Sequence, residues 1–199
     1  MKHLLSILLL LSPLFSQYDQ LFVGTRPLSM GGAFIAVADD ANTITWNPAG
    51  LPGLRRTEFT STYANLYNMG ITQSYVGFVR PFSDRIALGF DWSNVGYDDN
   101  ELSYGENKLN LAAGAQPNKL FSFGITLKYL MRDMLLDEAS YGKSSGIGYD
   151  AGFLIQPLKN LKLGVGIYDI GGTSVSYKDK TSETVLGQAF KLGISYMPF

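Results

Sequence analysis

The chain has 199 residues, enough for one domain, with 16 Lys and Arg against 17 Asp and Glu and a formal charge of −1. That near-neutral balance, without a basic cluster, excludes nucleic acid as an expected partner. The chain has no Cys, and its single His is His3. Beyond that position there are no Ser–His or Cys–His nucleophilic pairs and no usual zinc ligand sets, so neither an enzyme activity, a metal nor a cofactor is expected.

Residues 1–16, MKHLLSILLLLSPLFS, combine a basic start, an apolar run from Leu4 to Leu11, and Pro13 and Ser16 at the end. This is the pattern of a secretory signal peptide, and the run is shorter than the roughly 20 residues a membrane-spanning helix needs. An exported chain without Cys gains nothing from disulfides. Full backbone pairing in a closed barrel is the expected alternative source of stability.

Residues 17–55 differ from everything after them. Gly24 to Leu51 reads GTRPLSMGGAFIAVADDANTITWNPAGL, too rich in Gly, Ala and paired Asp for a barrel strand. Gly31 and Gly32 suit close packing or positive φ. Asp39 and Asp40 precede what could be one helical turn, with either Asp as its cap. Asn47-Pro48-Ala49-Gly50 is a turn signal. These eight residues are the candidate plug motif. As calcium ligands the two Asp lack the further oxygen spacing of an EF-hand loop.

From residue 56 onward the pattern has period 2, the mark of β-strands. Phe121, Phe123, Ile125, Leu127 and Tyr129 alternate with Ser122, Gly124, Thr126 and Lys128. The same alternation runs through Ile86–Ser93, Leu109–Gln116, Ile147–Gln156 and Leu161–Asp169, and blurs only where Tyr75 adjoins Val76. Eight strands are expected, at 57–67, 71–80, 84–96, 107–117, 119–131, 146–157, 160–170 and 187–197. The less apolar face carries Gly, Ala, Ser and Asn, which suits a wall curving around a packed interior. An apolar exterior band suits a membrane β-barrel. The competing expectation is a soluble sandwich with the apolar face inward.

The connections sort into short Pro-bearing turns, at Pro81, Pro117 and Pro157, and longer polar loops at Tyr97–Glu106, Arg132–Ser145 and Gly171–Gly187. Outer-membrane barrels show this asymmetry between periplasmic turns and outer loops. Phe199 falls out of phase with the apolar set Phe190, Leu192, Ile194 and Tyr196, so the last residues resemble a turn. An eight-stranded barrel is also too narrow to hold a plug. The expectation is therefore the N-terminal part of a larger barrel.

The segment Ala38-Asp39-Asp40-Ala41 followed by Asn47-Pro48-Ala49-Gly50-Leu51 resembles the N-terminal plug of FadL-type outer-membrane transporters of hydrophobic compounds. Met30-Gly31-Gly32-Ala33 and Trp46-Asn47-Pro48 are more similar to the PorV-like branch. The resemblance implies an all-β transmembrane antiparallel barrel of about fourteen strands with an N-terminal plug. It further implies an outer-membrane location, with outer-membrane lipid and hydrophobic small molecules such as long-chain fatty acids as partners. In FadL-type transport the plug lies in the lumen and cargo leaves sideways through the wall. The PorV-like alternative implies a barrel that binds or shuttles exported proteins of a type IX secretion system. In either case Arg26, Asp39 and Asp40 are expected to make plug-to-wall contacts. Direction of flow and oligomeric state are left open.

Overall fold

A computed structural model describes residues 23–99, 102–136, 139–177 and 180–198. The expected signal peptide lies outside these residues, as does the start of the plug segment. The described chain opens with two short helices, α1 (Thr25–Ser29) and α2 (Thr43–Trp46), and a 3-10 helix, Pro48–Gly53. The strands follow: β1 (Glu58–Leu66), β2 (Ile71–Ser83), β3 (Ile86–Asp98), β4 (Leu102–Asn118), β5 (Phe121–Leu136), β6 (Ala139–Leu158), β7 (Leu161–Tyr168), β8 (Thr173–Tyr177), β9 (Lys180–Leu186) and β10 (Ala189–Tyr196).

All pairings are antiparallel, and the sheet runs β1-β2-β3-β4-β5-β6-β7-β10, with β8 on β6 and β9 on β8. These ten segments make eight wall strands, as expected. β7 and β8 both pair with β6, at Ala151–Leu158 and Ser144–Ile147. The residues between them form a bulge with positive φ at Asp169, Gly171 and Gly172. Their neighbours β9 and β10 are parted at the same level by Gly187 and Gln188, and Gly171 N–H donates to Gln188 Oε1 at 3.1 Å.

The expected polar loops need correction. Tyr97–Glu106, Arg132–Ser145 and Gly171–Gly187 largely continue as paired strands: β4 reaches back to Leu102, β5 runs on to Leu136, and β8 and β9 form a hairpin. Apolar alternation is blind to polar strands, yet their backbone groups gain the same ladder hydrogen bonds. β4 to β6, at 17, 16 and 20 residues, exceed the roughly 9–11 that cross a bilayer. Their hairpins therefore extend beyond the apolar zone, on the side opposite the short turns at Ser83–Ile86, Asn118–Phe121 and Leu158–Leu161.

The orientation of the two faces is decisive. On β5 Phe123, Ile125, Leu127 and Tyr129 are exposed, while Ser122, Gly124, Thr126 and Lys128 are buried. The same phase holds for Ile86, Leu88 and Phe90 on β3 and for Phe190, Leu192, Ile194 and Tyr196 on β10. A soluble sandwich would bury those residues, so that expectation is overturned. A wall with a continuous apolar exterior fits lipid. Among the described residues no helix is long and apolar enough to cross a membrane; the strands provide the crossing.

Tyr75 explains the blurred stretch of β2. It points inward and is 1% exposed, while its neighbour Val76 lies on the outward face. The outward phase carries a prediction. Ile125→Arg, placing a charge on the lipid face, should cost about 2–4 kcal/mol near the midplane. Reversible unfolding from lipid vesicles would measure it, with the inward substitution Ser122→Thr as the near-neutral control.

Candidate functional site: the plug and its seat in the wall

The plug, residues 23–55, fills the concave side of the wall. Two apolar clusters seat it. Phe34, Ile35, Ala38, Trp46 and Ala49 pack with Leu154 and Tyr168, while Ala41, Ile44, Leu51 and Leu54 pack with Val79, Ala87 and Ala112. The plug therefore supplies the apolar core that the wall turns away from itself.

Its local structure follows from the sequence. Pro27 sits in the first turn of α1, where a missing N–H costs nothing. Gly31 and Gly32, at φ 62° and 80°, end that turn: their N–H groups donate to Leu28 O and Pro27 O, both at 2.9 Å. Consecutive left-handed residues favour Gly here. Asp40 Oδ1 accepts from the Asn42 N–H and from Asn42 Nδ2, both at 2.8 Å. Neither Asp is the N-cap itself; that position belongs to Asn42.

Arg26, Asp39 and Asp40 also differ from expectation. Arg26 Nη1 lies 2.5 Å from Asp39 Oδ1 and 2.8 Å from Asp40 Oδ2, so the cluster ties the plug to itself rather than to the wall. The two carboxylates, Asp39 first, hold the guanidinium still more firmly in its charged form. Arg26 and Asp39 are about half exposed, and solvent screening keeps the cluster's contribution to stability small. The reason is local. The Gly31-Gly32 reversal folds residues 38–40 back beside α1 before the chain reaches the wall.

The true plug-to-wall contacts centre on Asn47-Pro48-Ala49-Gly50. Asn47 is fully buried. Its Nδ2 donates to Ile35 O at 2.7 Å in the plug and to Phe153 O at 3.3 Å in β6, and its Oδ1 accepts from the Ala49 N–H at 3.1 Å. Pro48 begins the 3-10 helix, where its fixed φ is favourable. Gly50 leaves no room for a side chain against the Ala38 carbonyl and Thr43 Oγ1.

The wall makes space for this turn with a row of glycines. Gly114, Gly124 and Gly152 are cross-strand partners on β4, β5 and β6. A Cβ at any of them would meet Pro48, and at Gly152 also Asn47 Oδ1. Around this row, inward polar side chains of the wall hold the plug backbone. Thr126 Oγ1 donates to Ile44 O at 3.3 Å, and the Tyr168 hydroxyl donates to Trp46 O. Asp91 Oδ2 accepts from the plug side chain Thr45 Oγ1 at 2.7 Å; within the plug itself, Trp46 Nε1 donates to Val23 O at 2.9 Å.

Beside Tyr168 lies a buried ionic group. Lys128 Nζ is 2.7 Å from Asp150 Oδ1 and 2.5 Å from Asp169 Oδ1. The Asp169 N–H donates to Asp150 Oδ1 at 2.8 Å, and Thr173 Oγ1 donates to Asp169 Oδ1 at 2.6 Å. This network braces the β7–β8 bulge. Lys191 adds a cation 4.5 Å from the Tyr168 ring centre and 5.5 Å from that of Trp46.

Sequence reasoning singled out Asn47-Pro48-Ala49-Gly50 but missed these wall partners. The available signal was parity: Asp91, Asn110, Thr126, Lys128 and Asp150 all fall on the less apolar face of their strands. Among the described residues, two cavities lie beside the plug. One of about 200 Å³ opens at the short-turn end beside Ala49 and Leu154, and one of about 250 Å³ lies between Arg26 and Phe59. Both fall below the roughly 300–1,000 Å³ of ordinary ligand pockets.

Asn47→Ala should leave the Phe153 and Ile35 carbonyls and the Ala49 N–H without their present partner. Each buried group left unpaired costs about 1–3 kcal/mol, and partial relaxation brings the expected total to about 3 kcal/mol. The fluorescence of Trp46, in a Trp92→Phe background, would follow plug release separately from wall unfolding in a denaturant titration.

No family model matches the chain, and no curated protein matches it. Among solved structures it is similar to the CymD monoaromatic hydrocarbon channel, with 16% sequence identity and a TM-score of 0.59. The match covers 88% of this chain and 61% of that one, so this chain spans less than two thirds of the channel's length. At that identity the likeness is one of fold: the chain has an antiparallel β-barrel wall of the kind seen in that channel.

Proposed function

We propose that the chain forms the wall and plug of an outer-membrane channel of the FadL type, through which hydrophobic compounds pass without a catalytic step. The observation that carries this reading is the inversion of the wall. Its apolar residues face outward on strand after strand, and its small and polar residues grip a helical plug. An outward apolar face suits a wall surrounded by lipid. A plug held by a limited set of side-chain bonds is an element that can shift. The fold likeness to a hydrocarbon channel supports the same cargo class, with monoaromatic compounds and long-chain fatty acids as its two natural members.

The test is flux into lipid vesicles carrying the folded protein. Labelled toluene or a labelled fatty acid should enter faster than into protein-free vesicles, while a sugar of similar size should not. Equal rates with and without folded protein would overturn the reading. The PorV-like alternative, a barrel that holds exported proteins, rests on the wording of residues 30–33 and 46–48. Capture of a folded exported protein together with absent flux would favour it.

A further inference from the structure

The wall contains a buried carboxylate that the plug-holding role does not fully account for. Asp91, on β3, is fully buried. Its Oδ1 accepts from Asn110 Nδ2 at 2.8 Å, and its Oδ2 accepts from Thr45 Oγ1 at 2.7 Å. Among the described residues it takes part in no ion pair. Lys108 of β4 acts on it through space only, being paired with Glu106 at 3.8 Å. By contrast, the other buried carboxylates, Asp150 and Asp169, share Lys128.

Around Asp91 stand further oxygens. The Tyr75 hydroxyl lies within reach of Thr45 and Asp91, and Asn110 Oδ1 makes no hydrogen bond. Tyr75 is 1% and Asn110 2% exposed. An ionised carboxylate buried without a counter-charge is very costly, so such a group takes up a proton or a cation. A proton would neutralise Asp91 but leave Asn110 Oδ1 unpaired. A cation satisfies both at once.

We propose that Thr45, Tyr75, Asp91 and Asn110 form a site for one monovalent alkali cation at the seam between plug and wall. The donor set is all oxygen, which selects a hard cation over a transition metal. It carries a single negative charge. A divalent ion would leave a net charge in a buried site, whereas sodium or potassium balances it. Thr45 belongs to the plug and the other three to the wall, so an ion there clamps one to the other. The site stands independently of which cargo the channel passes.

The experiment uses the whole chain folded in detergent micelles. Unfolding followed by Trp46 fluorescence is compared in sodium, potassium and choline chloride at equal ionic strength, and sodium-23 NMR line broadening reads binding directly. A higher midpoint in sodium or potassium than in choline is expected, with broadening that saturates. Asp91→Asn should weaken the apparent ion affinity at least tenfold. Thr45→Val keeps the wall carboxylate and should weaken it less, which guards against a variant that merely fails to fold. Equal midpoints in all three salts without saturable broadening would overturn the proposal. So would an infrared carboxylic-acid band in sodium that vanishes in Asp91→Asn.

Discussion

Lys128→Met is expected to lower the stability of the folded wall by about 3–5 kcal/mol, the usual cost of removing one partner from a buried ion pair. Lys128 is 5% exposed, and Asp150 and Asp169 are 5% and 0% exposed. Methionine fills most of the volume but leaves two carboxylates facing one another across a space that water reaches poorly. Their remaining bonds, from the Asp169 N–H and Thr173 Oγ1, do not cancel the charge. Lys191 nearby offsets part of it, which favours the lower end of the range. Denaturant unfolding in micelles would measure the loss. Lys128→Met combined with Asp150→Asn and Asp169→Asn should recover much of it, because replacing a whole buried ionic group is far milder than breaking it. No recovery in the triple variant would mean that the lysine acts through packing instead. The bulge at Asp169–Gly172 should loosen with the single substitution, so faster amide exchange is expected at Asp169 and Thr173 before any global change.

Gly124→Val is expected to unseat the plug while leaving the wall folded. A side chain at this position has to occupy the place of the Pro48 carbonyl and the Ala49 nitrogen, both backbone atoms that cannot rotate away. Overpacking of this kind costs about 1–3 kcal/mol, occasionally more. Valine itself suits a strand, so the wall loses little. The expected signature is therefore selective. Trp46 fluorescence shifts toward that of exposed indole and Asn47 loses protection, whereas strand content by circular dichroism stays constant. If the proposed channel is correct, flux through vesicles rises in this variant because the plug no longer fills the lumen. Constant Trp46 fluorescence would show that the plug backbone can retreat without leaving its seat.

Much of the wall was legible in the sequence because its physics is local. Strand side chains alternate with period 2, so Phe121–Tyr129 or Phe190–Tyr196 reveals the strand and which of its residues share a face. The plug was legible for a similar reason: Gly31-Gly32 and Asn47-Pro48 encode turns through backbone preferences that need no distant partner. The extended hairpins were hidden because Tyr104, Glu106 and Arg132 lie on paired strands without an apolar face to mark them. There the Tyr104 hydroxyl donates to Glu106 at 3.0 Å and Arg132 Nε to the same carboxylate at 2.7 Å.

What the sequence determined alone was the strand pattern, the turn signals of residues 31–50 and the absence of Cys and of any His beyond His3. Only the tertiary structure decided that the apolar face turns outward, that Arg26 answers Asp39 and Asp40 within the plug, and that Asn47 reaches Phe153. It alone brought Lys128, Asp150 and Asp169 together and lined up Gly114, Gly124 and Gly152 beneath Pro48. These contacts join residues up to 106 positions apart, as Asn47 and Phe153 are. Strand register sets them, and register is a property of the paired sheet rather than of any one segment.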